Sequence, residues 1–220
     1  MDARARHAAI GVWSRAVLAA LDIRLDTRLE LAGGALQIKH TRGTLLVCNH
    51  VSWLDVVVLQ VWCPQARFVA KAQVQHWPLV GGLAKAAGAL FVNRDSAAAM
   101  RSTLFELEAV LAAGGVVALF PEGTTSDGRG VLPFKAGLLE AARRAGCAVQ
   151  PLSLRYADAG SAPSRAVPYI NDDSFAGSLW RLARAQGVVA RLVVLPTRAA
   201  PHAPRTELAE TLHAEIAAAL

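Results

Sequence analysis

The alternation of apolar and polar residues early in the chain predicts a β-strand. Between positions 23 and 31, aliphatic or threonine side chains alternate with arginine, aspartate and glutamate, which is the period of a half-buried strand. Gly33 and Gly34 then separate this segment from a second, shorter alternating segment, Leu36-Gln37-Ile38-Lys39. A glycine pair between two such segments is typical of a tight turn, so we predict a β-hairpin over residues 23–39.

Beyond position 44 the pattern changes to short apolar runs that alternate with longer helical stretches. Alternating strands and helices in a chain of 220 residues predict a single α/β domain, in which helices flank a central, largely parallel or mixed sheet. Chemistry in such sheets gathers where strands end. The predicted strands are 45–48, 67–70, 116–120, 148–154 and 188–195, and the predicted helices are 96–113, 135–145, 174–186 and 206–220.

The N-terminal segment, residues 1–22, is predicted to form an amphipathic helix. Residues 8–21 are apolar over most of a helix surface, while three arginines carry charge and Trp13 suits a lipid headgroup interface. A helix on a membrane surface and an ordinary helix packed on the core have equal weight. Arg15 argues against a signal peptide, and the sequence nowhere holds about 18 consecutive uncharged apolar residues, as a membrane-spanning helix needs.

The charge balance favours acidic partners. With 23 lysines and arginines against 17 acidic residues, the formal net charge is +6, which suits nucleic acid, anionic lipid or an acidic carrier protein. The few phenylalanines and tyrosines are scattered, so they do not form a platform on which bases could stack. Nucleic acid is therefore not an expected partner.

The cysteines and histidines show no spacing typical of metal ligands. Cys48, Cys63 and Cys147 are widely separated and form no CxxC pair, and the six histidines include no HExxH motif. We therefore expect no metal site. The apolar neighbours of the cysteines predict small core residues in a reducing compartment.

The segment 49–55 carries the clearest candidate chemistry. His50 and Asp55 lie five positions apart where a buried strand gives way to a helix, so a general base and the carboxylate that orients it could share one turn of backbone. A capping box is the structural alternative, with Ser52 capping the helix and Asp55 reaching back to the cap. On this segment alone, catalysis and capping have even weight, although capping leaves His50 unexplained.

Two further polar blocks follow predicted strands. Arg94 ends the segment 88–94 and suits two-point recognition of phosphate or carboxylate, although a surface ion pair with Asp95 is a commoner use of such an arginine. Glu122 opens a loop rich in glycine and hydroxyl side chains, which could hold a phosphate or a polyol. The alternative for this loop is a plain turn between a strand and a helix.

In order along the chain, four blocks resemble those of the glycerolipid acyltransferase family, in particular bacterial 1-acylglycerol-3-phosphate (lysophosphatidic acid) acyltransferases. Residues 49–55 match the NHxSxxD block, residues 88–94 resemble the GxxFxxR block and residues 120–124 match the FPEGT block. Gln150-Pro151-Leu152 resembles the fourth, proline-containing block, and a proline there predicts an edge strand or a bulge. Four ordered blocks are a strong signal where each alone is weak.

The resemblance implies an acyltransferase domain at residues 23–220, which transfers an acyl group from acyl-CoA or acyl-carrier protein to a lysolipid hydroxyl without a cofactor. It also implies a peripheral or monotopic protein at the cytoplasmic face of the inner membrane. His50 would take the hydroxyl proton, and Asp55 would orient and charge-balance the imidazole. The residues implied to bind the polar end of the acceptor are Lys71, Arg94, Glu122, Gly123 and Thr124.

Position 125 is threonine, whereas the family commonly has arginine after the FPEGT block. Without that cation, and with Asp127 nearby, the acceptor headgroup is open between 1-acylglycerol-3-phosphate and lyso-ornithine lipid, which has no phosphate. An acyl thioesterase or serine hydrolase is an alternative of another class, but the sequence has no G-x-S-x-G elbow. A non-enzymatic basic binding module would leave His50 and Glu122 without a purpose.

Overall fold

A mixed sheet of seven strands forms the centre of the protein. The computed structural model describes residues 2–29, 43–77, 80–93, 96–199 and 203–220. The strands in these ranges are β1 (Ile23–Leu29), β2 (Thr44–Cys48), β3 (Arg67–Lys71), β4 (Leu90–Val92), β5 (Val116–Leu119), β6 (Ala148–Ala157) and β7 (Val188–Val194). Their order across the sheet is β1-β7-β6-β2-β5-β3-β4.

Helices connect the strands and cover the sheet. Short 3-10 turns at Ala72–His76 and Ala136–Leu139 accompany them. The α-helices of the described ranges are α1 (Ala3–Ala20), α2 (Leu54–Trp62), α3 (Val80–Ala86), α4 (Ala97–Ala112), α5 (Glu140–Ala145), α6 (Phe175–Arg184) and α7 (Arg205–Ala218).

Five of the strands finish at the same end of the sheet. β2 pairs in parallel with β5 and β6, β5 pairs in parallel with β3, and β3 pairs in parallel with β4. The residues that follow these strands therefore gather at one end of the sheet, which we call its carboxyl end. β7 runs antiparallel to β6 and begins at the carboxyl end, since Val189 pairs with Ala157 at the end of β6.

Apolar residues cover both faces of the sheet. On one face, Leu46 and Cys48 of β2 belong to a core shared with α1, α2 and α6. On the other, Leu45 and Val47 belong to a core shared with α4, α5 and α7. A strand buried on both faces is almost continuously apolar, and the polar residues Asn49 and His50 follow directly after β2 ends at Cys48. The three cysteines are buried with free thiols, as the sequence predicts.

Most of the predicted elements are confirmed. The five strands predicted after position 44 are β2, β3, β5, β6 and β7, and α4, α6 and α7 lie where the sequence predicts helices. The helix predicted at 135–145 is divided into a 3-10 turn and α5. β1 is a strand, but it pairs in parallel with β7, and the second arm of the predicted hairpin, at 36–39, lies outside the described residues.

The proline in β6 does not mark an edge strand, so that part of the prediction is wrong. β6 lies between β7 and β2. Its ladder with β7 begins at Leu152, and an isolated bridge pairs Val149 with Arg198. Pro151 occupies the interruption between these pairings, where no amide proton is required of it, and its carbonyl accepts the amide of Leu195.

Helix α1 packs through one face and exposes another. Ser14 Oγ donates to Gln60 Oε1 of α2 at 3.3 Å, whereas Val12 and Trp13 are exposed. In the described ranges, none of the helices combines the length and the apolar character that crossing a bilayer requires. The predicted N-terminal helix is thus present, and its role on a membrane surface stays a prediction.

Candidate active site

His50 and Asp55 form a hydrogen-bonded pair at the carboxyl end of the sheet. β2 ends at Cys48 and α2 begins at Leu54, so His50 projects from the turn that joins them and Asp55 from the first turn of α2. His50 Nδ1 lies 2.7 Å from Asp55 Oδ2. Because a carboxylate only accepts, Nδ1 carries the proton and the lone pair of Nε2 is left for a substrate. The imidazole is 19% exposed and the carboxylate is fully buried.

Four groups satisfy the buried carboxylate of Asp55. Oδ2 also accepts the amides of Val51 at 2.7 Å and Ser52 at 3.0 Å, and Oδ1 accepts the hydroxyl of Tyr156 at 2.7 Å. Asp55 thus forms the amide half of a capping box. The Ser52 hydroxyl does not form the other half, because its buried oxygen has no hydrogen-bond partner among the described residues. The Asp55 carboxylate therefore both accepts amides at the start of α2 and orients His50.

The ring of His50 is held against an aromatic neighbour. Phe120 stacks on it with ring centroids 4.1 Å apart and planes 11° from parallel. Phe120 in turn packs against Phe68 of β3, with centroids 6.2 Å apart. These contacts leave the imidazole few orientations other than the one that faces Asp55.

Glu122 holds the backbone of His50. Its Oε1 accepts the His50 amide at 2.6 Å, and its Oε2 accepts the Leu132 amide at 2.9 Å. On the other side, the Ser126 amide donates to the His50 carbonyl at 2.8 Å. Burial raises the pKa of Glu122, while the two amide hydrogen bonds and His50 oppose this shift. The predicted contact between Glu122 and the acceptor stays a prediction.

Asn49 clamps the end of β2 to β6. Its Nδ2 donates to the Leu154 carbonyl at 2.8 Å, and its Oδ1 accepts the Leu154 amide, also at 2.8 Å. A primary amide matches one backbone donor and one backbone acceptor in this way. The fully buried side chain therefore continues the ladder beyond Cys48 and fixes where His50 begins. The sequence pattern gives Asn49 no role beyond its place in the NHxSxxD block, so it does not predict this contact.

Three of the other predicted site residues, Lys71, Gly123 and Thr124, lie at or beyond the carboxyl end of the sheet. Lys71 is the last residue of β3 and is exposed. Gly123 adopts φ of 72°, which favours glycine, and Thr124 beside it is exposed. Arg94 follows β4 and lies outside the described residues, so its predicted contact with a headgroup stays a prediction.

Thr125 connects the loop after β5 to the segment before α6. Its hydroxyl donates to the carbonyl of Tyr169, and the Tyr169 amide donates to the Val51 carbonyl at 3.0 Å. The position at which the family commonly has arginine is therefore occupied by a short side chain that is already hydrogen-bonded within the protein.

The geometry gives no support to a serine nucleophile beside His50. Within the described part of the chain, the Ser52 hydroxyl bonds neither the histidine nor any other group. The described residues also contain no group of three or more histidine, cysteine, aspartate or glutamate side chains arranged to hold a metal ion.

Comparison with known proteins identifies the family. Residues 33–155 match the acyltransferase family. The chain is 36% identical over 188 residues to the 1-acyl-sn-glycerol-3-phosphate acyltransferase of Neisseria meningitidis serogroup B, covering 85% of this chain and 70% of that protein. It is 36% identical over 176 residues to the lyso-ornithine lipid O-acyltransferase of Pseudomonas aeruginosa, covering 80% of this chain and 67% of that protein.

The fold is shared with a solved structure. The crystal structure of the 1-acyl-sn-glycerophosphate (LPA) acyltransferase PlsC from Thermotoga maritima superposes with a TM-score of 0.74 at 20% identity, covering 98% of this chain and 80% of that chain. With the family match over more than half of its length, the chain belongs to the acyltransferase family.

Proposed function

We propose that this enzyme transfers an acyl group from a thioester to the free hydroxyl of 1-acylglycerol-3-phosphate, which forms phosphatidic acid in phospholipid biosynthesis. The observation that carries this proposal is the 2.7 Å contact of His50 Nδ1 with the buried carboxylate of Asp55. The similarity to the Neisseria enzyme over most of the chain supports the choice of acceptor.

In the proposed reaction, His50 Nε2 accepts the proton of the acceptor hydroxyl as its oxygen attacks the thioester carbonyl. Asp55 stabilises the imidazolium that forms and keeps the ring oriented. When the tetrahedral intermediate collapses, the carbon–sulfur bond breaks and the thiolate leaves. A thiol has a pKa of about 8.5, so the leaving group needs little help and can take its proton from the imidazolium. The chemistry requires no covalent acyl-enzyme, cofactor or metal.

The acyl donor in this proposal is acyl-CoA or acyl-carrier protein, and the acceptor arrives from a membrane surface. The protein would act as a peripheral or monotopic enzyme at the cytoplasmic face of the inner membrane. Its formal charge of +6 suits both an acidic carrier and anionic lipid. The residues proposed to bind the acceptor's polar end are Lys71, Arg94, Glu122, Gly123 and Thr124.

Lyso-ornithine lipid is a second candidate acceptor, which one observation favours. Thr125 supplies no cation at the loop after β5, and its hydroxyl is bonded to Tyr169, so a phosphate gains no charged partner there. The similarity to the Pseudomonas lyso-ornithine lipid O-acyltransferase is consistent with this acceptor.

Acyl transfer to a panel of radiolabelled or mass-tagged lysolipids tests the proposal. We expect His50→Ala to remain folded and to lose transfer. His7→Ala is the matched control, since His7 lies near the start of α1, four residues before Gly11, which packs near Pro64 at the opposite end of the sheet from His50. Full activity of His50→Ala would remove His50 from the role of base. Release of free fatty acid at the transfer rate without any lysolipid would instead favour a thioesterase.

A further inference from the structure

Four exposed apolar side chains surround the carboxyl end of the sheet. We call this set the apolar rim, and we define it as Trp77, Leu132, Leu179 and Trp180. They are 36%, 39%, 38% and 66% exposed, respectively. Large exposed apolar side chains that share one end of a protein mark a surface for an apolar partner.

Two members of the apolar rim are connected directly to the candidate active site. Trp77 follows the 3-10 turn after β3, and its ring meets that of Tyr169 edge to face at 6.4 Å, while the Tyr169 amide bonds the carbonyl of Val51. Leu132 donates its amide to Glu122, the residue that also holds His50. These two members of the apolar rim therefore border the site.

The other two members lie on α6, which is placed at the same end by the topology. β7 begins at the carboxyl end of the sheet, and α6 ends at Arg184, just before this strand. The first turn of α6 also contacts Trp53, which lies in the segment 49–55 that carries His50 and Asp55. Trp53 Nε1 donates to Ser178 Oγ at 3.1 Å, and the Trp53 ring packs on Phe175 with centroids 5.1 Å apart.

Basic side chains accompany the apolar rim. The guanidinium of Arg184 lies 5.8 Å from the ring centroid of Trp180, a cation–π contact. Lys71 at the end of β3 and Lys135, whose amide donates to the Pro121 carbonyl, are both exposed at the carboxyl end. Tryptophan and leucine flanked by arginine and lysine form the side-chain combination that favours a bilayer interface with anionic headgroups.

We propose that the apolar rim docks on an anionic lipid bilayer, so that the carboxyl end of the sheet faces the membrane. The choice of a lipid partner rests on the proposed function, in which the acceptor is a lipid. This membrane contact differs from one made through the exposed side chains of α1. Gly11 packs near Pro64, which lies between α2 and the start of β3, so Val12 and Trp13 sit toward the opposite end of the sheet.

Co-sedimentation of the full chain with vesicles tests this docking. The vesicles contain phosphatidylglycerol and phosphatidylethanolamine, and phosphatidylcholine vesicles report on the charge dependence. We expect Trp180→Ser and Leu179→Ser each to weaken binding to the anionic vesicles by about tenfold, because each removes most of one large apolar side chain from the contact.

Phe105→Ser is the matched control. Phe105 is 60% exposed, and the guanidinium of Arg144 lies 5.8 Å from its ring centroid, so it closely resembles Trp180 with Arg184. It lies on α4, on the other face of the sheet, and we expect no change in vesicle binding. Unchanged binding by the α6 variants, or an equal loss in Phe105→Ser, would overturn the proposal.

A second measurement separates docking from chemistry. With lysolipid embedded in vesicles, Trp180→Ser should lose activity in proportion to its lost binding, whereas with detergent-dispersed lysolipid it should match the wild type. Equal losses in both assays would place Trp180 in the site itself and overturn the docking role. Failure of the wild type on every detergent-dispersed lysolipid would instead contradict the proposed function, and the binding comparison would still stand.

Discussion

The Tyr156 hydroxyl donates to Asp55 Oδ1 at 2.7 Å, on the carboxylate oxygen that does not face His50. Both residues of this contact are buried. Burial, together with the charge of Asp55, raises the pKa of Tyr156 well above its usual value, so the phenol stays a donor at every working pH. Tyr156 therefore positions the carboxylate that orients His50, the proposed base.

We expect Tyr156→Phe to lower kcat by about tenfold, since a hydrogen bond to a charged group contributes about 1.5–3 kcal/mol, while KM for the acceptor changes little. Tyr169→Phe is the control, since its hydroxyl makes no hydrogen bond within the described ranges. Equal effects of both variants would contradict this role.

Asn49→Ala should destabilise the protein by about 3 kcal/mol. The change leaves the amide and the carbonyl of Leu154 without partners in a buried position, and each such group costs about 1–3 kcal/mol. Urea unfolding measures the effect. Ser96→Ala removes a side-chain hydrogen bond at the exposed start of α4 and should cost about 1 kcal/mol. If the two variants lost similar stability, the clamp would not matter to the fold.

Glu122 predicts a pH dependence of stability. Because burial raises the pKa of Glu122, the native state binds more protons than the unfolded state between the usual pKa of glutamate and the raised one. The contribution of Glu122 to stability is therefore fully present below this window and is lost as the pH rises through it. Chemical denaturation at a series of pH values should show this slope for the wild type and a reduced slope for Glu122→Gln. Identical slopes would show that Glu122 titrates normally.

Thr125→Arg should change the choice of acceptor. An arginine at this position adds a two-point phosphate donor, so we expect the ratio of kcat/KM for lysophosphatidic acid over lyso-ornithine lipid to rise by about tenfold. Thr125→Val removes the bond to Tyr169 without adding charge and should leave the ratio unchanged. An equal shift in both variants would mean that the loop conformation, and not the cation, controls the headgroup.

The parts of the site that are close in sequence could be predicted, and the parts that depend on distant contacts could not. His50 and Asp55 are five residues apart, so their pairing follows from one strand-to-helix turn. Tyr156 is 101 residues from Asp55, and Leu154 is 105 residues from Asn49. Nothing in the local pattern around these residues indicates their partners, because the order of β2 and β6 in the sheet determines the contacts.

The same limit applies to the fold. The alternation at the start of β1 predicts a strand, but alternation carries no information about the partner, and β1 pairs with β7 from the far end of the chain. Pro151 predicts an edge strand or a bulge because it lacks an amide proton. Its position in an internal strand depends on where the ladder with β7 is interrupted, which only the three-dimensional arrangement reveals.

The amide of His50 is bonded to Glu122 and its carbonyl to Ser126, so the base is fixed in the free protein. The entropy of ordering this residue is therefore lost once, when the chain folds, and not again at each turnover. The free energy released when a lipid binds then remains available to bring its oxygen into line with the carbonyl carbon.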